Sequence, residues 1–300
     1  VQPPDGPAAD PFQALRPRLV RLAYRMLGSM TEAEDIVQEA WLRWHGTDRS
    51  TVRDPVAYLS RTVTRLCLDH LKSARVKRET YIGPWLPEPV FDAEAEEGED
   101  DLSLTLMMAL ERLSPLERAA FLLHDVFGME FEQVAATLDR EPAACRQLAA
   151  RARRNVRAAR PRFPVPQDEG QRMVDAFFAA SRSGDLQRLQ ALLAENVVAY
   201  TDGGGIKNAA LNPLFGFRRV AGLLMGVARK SAFATPPVLY RGLINGLPGL
   251  ATLEAGNTLQ TTALQIEDGR ITAIYVVRNP EKLRHIPQLD SLHQAPPSGT

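Results

Sequence analysis

The chain has 300 residues, 45% of them hydrophobic, which points to a soluble globular protein of two or three domains. Its 36 basic and 36 acidic residues cancel, so net charge singles out no partner. Two cysteines exclude a disulfide framework and a cysteine-based metal cluster, and no apolar run approaches the ~20 residues of a membrane span. Cys67 and Cys145 each fall inside a helical pattern, which fits core positions in a reducing cytosol. The opening VQPPDGPAADP has no signal-peptide core. A cytoplasmic location without a membrane partner is expected.

The first block, 10–78, reads as all helix. Leu15, Leu19, Leu22, Ala23 and Met26 follow a helical period that Gly28 ends. In TEAEDIVQEAWLRW, Thr31 and Glu34 have the spacing of a capping box. Ile36, Val37, Ala40, Trp41 and Trp44 form its apolar face, while Asp35, Gln38 and Glu39 share the opposite one. After the polar loop HGTDRSTVRD, Pro55 opens a helix expected to bury Val56, Leu59, Val63 and Leu66.

The segment 79–101 contains ETYIGPWLPEP, too rich in proline for helix or strand, and then the acidic run FDAEAEEGEDD. The second block, 102–163, is helical again. Ser114 caps a helix with Pro115 in its first turn, running to Gly128. A short helix with Phe131, Val134, Ala135 and Leu138 on one side precedes an arginine-rich helix opened by Pro142. That pair has the pattern of a helix-turn-helix. Cys145, Leu148, Ala149, Ala152 and Val156 form its inward stripe. Arg146, Gln147, Ala150, Arg151, Arg153, Arg154 and Arg157 point outward. FPVPQDE reads as a linker.

The third block, 168–286, changes character. Two helices precede VVAYTDGGG, another helix lies around Arg219, and a hairpin turns at Asp268–Gly269 between alternating runs. This is an α+β domain, followed by a proline-rich tail from Pro287 expected to be disordered. Charge is sharply segregated. Basic stretches at 61–78 and 140–162 flank the acidic connector, an arrangement suited to two contacts with a polyanion.

AEDIVQEAWLRW, DPVAYLSRTVTRLCLDHLKSARVKRE and the arginine-rich helix-turn-helix resemble, in that order, bacterial sigma-70-family sigma factors. More narrowly they resemble the extracytoplasmic-function group, which keeps only the second and fourth conserved regions. YIGPWLPEP, DGGG at 202–205 and NPEKL at 279–283 are similar to motifs of the subgroup that carries a C-terminal SnoaL-like domain. One departure is that Ile206 stands before Lys207, where the pattern has a basic residue directly after the glycines. The resemblance implies a multidomain protein. Two all-α domains that bind DNA and polymerase, the second a helix-turn-helix, would precede an α+β SnoaL-like cone domain.

It also implies partners and roles. Asp35, Gln38 and Glu39 would dock on the clamp helices of the largest subunit of the RNA polymerase core through charge-assisted hydrogen bonds. Arg61, Arg65, Lys72, Arg75 and Arg78 would grip phosphates of the opened −10 element of promoter DNA, with the loop 45–54 as the base pocket and Asp69 ordering the cations. Arg146 and Gln147 would read −35 bases in the major groove, since Arg suits guanine and Gln adenine. Arg151, Arg153 and Arg154 would hold phosphates and set register. Tyr81, Trp85, Pro87, Asp202, Gly203, Gly204, Asn279, Pro280 and Lys282 would form regulatory contacts, with the C-terminal domain clasping the aromatic strip.

No catalytic residue, metal or cofactor is expected. Asp175, Tyr200 and Asp202 occupy positions that helix and turn chemistry explain without catalysis, and GGG lacks the ending of a phosphate loop. An unidentified small ligand in the C-terminal domain fits a regulatory module. Two alternatives stay open: a ligand-responsive helix-turn-helix regulator, and a C-terminal domain that keeps isomerase or cyclase activity. Two duplex turns span about 70 Å, whereas the connector beyond Gly83 extends to at most about 65 Å. The connector must therefore open for both elements to be reached.

Overall fold

The computed structural model describes residues 10–79, 81–91, 104–159, 165–231, 234–284 and 286, and side chains for all of these except 74–79 and 157–159. It has two all-α blocks followed by an α+β domain, the architecture expected. These divide into two compact units: 1–77 with 109–159, and 78–108 with 160–300. The acidic run 92–101 and the tail from 287 lie outside the described residues.

The helical unit starts with α1 (Pro11–Leu27), in which Phe12 N donates to the Asp10 carboxylate and which stops at left-handed Gly28. Helix α2 (Met30–His45) is capped by Ser29, whose hydroxyl accepts from Glu32 N at 3.1 Å. Thr31 is thus inside the first turn, and the expected box at Thr31 and Glu34 does not form. Ser29 and Thr31 are both cap formers, and the chain reverses at the earlier one because Gly28 already ends α1. Ile36, Val37, Ala40 and Trp44 are buried as expected, each contributing on the order of 1–3 kcal/mol of apolar transfer for the larger side chains.

Helix α3 (Pro55–Glu79) buries Leu59, Val63, Cys67, Leu68 and Leu71. Val56, expected inside, is 40% exposed, and Leu66 is only half-buried. The buried stripe thus starts one turn later, at Leu59.

Helix α4 (Leu104–Glu111) leads to α5 (Pro115–Phe121), which carries the Ser114–Glu117 capping box. The helix expected to run unbroken to Gly128 instead widens into a π turn at Leu122–Val126, where Phe127 N donates to Leu122 O at 2.9 Å. The inserted residue sets His124 against the Phe131 ring, with centroids 3.8 Å apart. Helices α6 (Phe131–Leu138) and α7 (Pro142–Ala159) complete the helix-turn-helix. Buried Arg118 ties the unit together, with Nε on Leu110 O at 3.0 Å and Nη1 on Met26 O and on Glu111 at 2.8 Å.

In the second unit, α8 (Gln167–Ser183) begins inside the stretch read as a linker, with Asp168 and Glu169 in its first turn complementing the helix dipole. After α9 (Leu186–Leu192) come β1 (Leu193–Asp202), β2 (Leu214–Phe215), α10 (Phe217–Lys230), β3 (Val238–Ile244), β4 (Leu247–Glu254), β5 (Thr258–Glu267) and β6 (Arg270–Val277). The strands form one sheet in the order β2-β1-β6-β5-β4-β3, with β1 and β6 parallel.

Strand alternation gives the sheet two apolar faces. Leu250, Leu264 and Ile274 pack under α8, α9 and α10 with Phe177, Leu189 and Val220. On the other face Ala251, Ala263, Ala273, Tyr275 and Val277 are covered by Leu86 of the connecting segment and Leu104 of α4, with Leu283 and Ile286. The connector supplies a cover that the domain's own helices leave out.

Candidate functional site

The strip 81–91 is held along its length. Asp202 ends β1 in register with Val277 and is 0% exposed. Each carboxylate oxygen takes two donors. Oδ1 accepts from the Tyr81 hydroxyl and from Gly204 N at 3.1 Å. Oδ2 accepts from Leu86 N at 2.9 Å and from Lys282 Nζ at 2.7 Å. The turn chemistry anticipated for Asp202 is present in the Gly204 bond, yet most of its donors come from elsewhere.

Lys282 also donates to Leu86 O and stands 4.0 Å from the Trp85 ring centroid and 4.8 Å from that of Tyr81. The cation that meets Asp202 therefore comes from NPEKL and not from Lys207. Asn279 Nδ2 donates to the Tyr81 oxygen at 2.9 Å. Burial, followed by the neighbouring Asp202 carboxylate, pushes the Tyr81 phenol well above its ordinary pKa, so it remains a donor.

The glycines are there for space. A Cβ on Gly203 would lie 2.0 Å from Lys207 O, and one on Gly204, whose φ is 61°, would lie 2.3 Å from Asn279 Nδ2. Pro87 is buried, while Pro280 is half-buried and accepts from Leu283 N at 3.4 Å. The structure thus brings together Tyr81, Trp85, Asp202, Gly204, Asn279 and Lys282.

Sequence reasoning missed the far end of the strip. Val90 N donates to Asn245 Oδ1 at 3.1 Å, Asn245 N returns to Val90 O at 2.8 Å, and Phe91 bridges to Ile244. The one available signal was the Asn245–Gly246 turn, since Asn in a left-handed position has a side chain free to bind backbone.

In the helical unit, Asp35 and Gln38 are exposed, and Glu39 pairs with Arg43 at 2.9 Å. Beside them Gln38 joins Phe12, Gln13, Arg16, Val37 and Trp41 in a shallow groove between α1 and α2. In the loop 45–54, a short 3-10 turn at Arg49–Thr51 is capped by Asp48, and Arg49 lies over Trp44 and pairs with Asp10 at 3.3 Å.

The basic face of α3 is only partly open. Arg61 is half-buried, and Lys72 pairs with Asp69 at 2.9 Å. Arg65 is exposed, but its guanidinium is engaged at the C-terminal end of α6, on Thr137 O at 3.1 Å and Ala136 O at 3.3 Å. The last carbonyls of a helix lack partners within it, and Arg65 supplies them. The side chains of Arg75 and Arg78 lie outside those described.

On α7, Arg146 pairs with Glu132 at 3.1 Å, Arg151 with Glu117 at 2.8 Å, and Arg153 with Asp125. Gln147, Ala150, Arg151, Arg153 and Arg154 surround one open depression. Cys145 and Cys67 are buried free thiols, and burial raises the pKa of both. Asp175 is on the surface of α8, paired with Arg241 at 3.0 Å, and Tyr200 stacks on Tyr275. Among the described residues no His, Cys, Asp and Glu group could hold a metal ion, and no helix is long and apolar enough to cross a membrane.

Comparison with known proteins bears on both units. Residues 12–76 match the family Sigma-70 region 2, and residues 103–156 match Sigma-70, region 4. The chain is 37% identical to the ECF RNA polymerase sigma factor SigJ of Mycobacterium tuberculosis, covering 96% of each chain. It is 34% identical to the probable ECF RNA polymerase sigma factor SigI of the same species, covering 92% of this chain and 95% of that one. The crystal structure of SigJ superposes with a TM-score of 0.73 at 35% identity, covering 91% of this chain and 97% of that one.

Proposed function

This chain belongs to the extracytoplasmic-function RNA polymerase sigma factors, and we propose that its C-terminal domain governs it in cis by holding the connector between regions 2 and 4. It directs promoter-specific transcription initiation, and its family binds RNA polymerase core and promoter DNA.

Within that function the face of Asp35, Gln38 and Glu39 docks on the clamp helices of the largest subunit. The 55–79 helix grips the −10 element, with Arg61, Arg65, Lys72, Arg75 and Arg78 as cations. Arg146 and Gln147 read −35 bases, while Arg151, Arg153 and Arg154 hold phosphates. The domain boundaries are 10–78 for region 2, 79–101 for the connector, 102–163 for region 4 and 168–286 for the regulatory domain. The protein acts in the cytoplasm, and its C-terminal domain is a regulatory module that takes a small ligand and does no catalysis.

The observation that carries the regulatory reading is the Asp202 carboxylate, which joins Tyr81 and Leu86 of the strip to Lys282 of the domain. Reaching two promoter elements requires the connector to extend, and a gripped connector cannot. Arg65 supports the same view, because its donors on the α6 carbonyls must be released before they can meet a phosphate. A bias of about 1–3 kcal/mol between held and released states is enough for such control.

The test pairs promoter-directed transcription on purified core enzyme with distances between spin labels at exposed Val56 and Ala150. Loss of the Lys282 anchor, as Lys282→Met, lengthens that distance and changes transcription. An unchanged distance distribution overturns the clasp.

A further inference from the structure

The sheet face beneath α8, α9 and α10 ends in charge. Along β4, Thr252 and Glu254 follow Leu250 on that face, and Arg278 follows Ile274 and Val276 just beyond β6. Arg182, in the last turn of α8, is 7% exposed and forks onto Glu254, with Nη1 at 3.1 Å from Oε2 and Nη2 at 2.5 Å from Oε1. Thr252 donates to the same carboxylate at 2.8 Å. Glu254 is thereby engaged.

Arg278 donates from Nη1 to Asn208 O at 2.8 Å, but its Nε is enclosed and has no partner among the described residues. Burial depresses the Arg278 pKa, Glu254 opposes this, and Arg182 adds to the depression. Two guanidinium groups and one carboxylate leave an excess of positive charge partly out of water, where an unpaired N–H is costly. An oxygen acceptor with negative charge answers both deficits, and guanidinium matches the planar fork of carboxylate and phosphate.

We propose that the C-terminal domain binds a small oxyanion, a carboxylate or a phosphate, at Arg278 Nε beside the Arg182–Glu254 pair. This deepens the small-ligand reading of the domain given above. The site is on the opposite sheet face from the strip, yet next to its anchor, because Arg278 N donates to Asp202 O at 2.7 Å. An anion held there is one backbone hydrogen bond away from the residue whose carboxylate holds the connector.

The experiment titrates the 15N-labelled full chain separately with sodium acetate and sodium phosphate at constant ionic strength set by sodium chloride. The arginine Nε–Hε resonances are the readout, with that of Arg278 assigned by its loss in Arg278→Lys. At least one anion shifts the Arg278 resonance saturably. A lower midpoint for acetate identifies a carboxylate site, and a lower midpoint for phosphate identifies a phosphate site. Arg278→Lys keeps the charge but removes the Nε–H fork, and it raises the midpoint at least tenfold on the backbone resonances of β6. Arg241→Gln, at a surface ion pair of the same domain, leaves it within twofold. Shifts linear in both anions overturn the proposal, as does an Arg278→Lys midpoint equal to that of the native chain. Should Arg278→Lys fail to fold, the Arg278 resonance is assigned by through-bond correlation to its own backbone amide, and its saturation in the native chain decides. The readout involves no transcription, so its failure is distinct from failure of the clasp.

Discussion

Lys282 Nζ lies 2.7 Å from Asp202 Oδ2, with the two side chains 7% and 0% exposed. Buried pairs of this kind are held against a desolvation cost by additional hydrogen bonds, and here Leu86 and Tyr81 of the strip provide them. Removing one charge leaves the other stranded. Asp202→Asn is expected to cost about 3–5 kcal/mol in denaturant unfolding of the full chain. The double variant Asp202→Asn/Lys282→Met should recover part of that loss. A single-variant cost below about 1 kcal/mol would contradict the anchor, since that is the range of exposed pairs.

Gly204 tests the same junction by shape. At φ 61° and with Asn279 Nδ2 only 2.3 Å from a Cβ, Gly204→Ala should destabilise by more than about 1 kcal/mol and free the strip to protease. Gly222→Ala, in the exposed interior of α10 with nothing within 4 Å, should instead stabilise by up to about 1 kcal/mol. Equal effects at the two positions would remove the steric argument.

The raised Tyr81 pKa gives the junction a pH dependence of known sign. The folded state holds the phenolic proton more tightly than the unfolded chain, where the pKa is near its ordinary 10.0. The contribution is therefore complete below about pH 10 and is lost as pH rises beyond it toward the folded value. Tyr81→Phe should flatten the alkaline limb of a stability-versus-pH curve. A native and a variant curve of the same slope above pH 10 would contradict the Asp202 contact.

On region 2, Asp35→Lys/Glu39→Lys should abolish co-purification with core polymerase. The fold should be intact by circular dichroism, because the Glu39–Arg43 pair is exposed and contributes less than about 0.5 kcal/mol. Retained binding would exclude this face as the docking site.

On α7, Arg146→Ala should cost about 1–3 kcal/mol of promoter binding and relax preference mainly at one −35 position. Arg153→Ala should weaken all promoter variants alike and lower the salt dependence. Identical behaviour of the two would erase the distinction between base and phosphate contacts.

Much of this protein was legible along the chain. The helical stripes of α1 and α2, the Ser114–Pro115 start, the helix-turn-helix and the Asp268–Gly269 turn all reflect signals carried within a few consecutive residues. Caps and periods act between i and i+4, so sequence contains them directly. Even there, competition between neighbouring cap formers was settled by packing, which chose Ser29 over Thr31 and left Val56 in solvent. What sequence could not contain is where the strip goes. Leu86 meets Asp202 across 116 positions and Val90 meets Asn245 across 155, and neither partner advertises the other. Nor could sequence show that Lys282, and not Lys207, answers Asp202, or that the sheet needs a second cover. Those contacts exist only once β1 and β6 lie side by side and bring Asp202 and Asn279 to one end of the sheet, because register between distant strands is a property of the assembled fold.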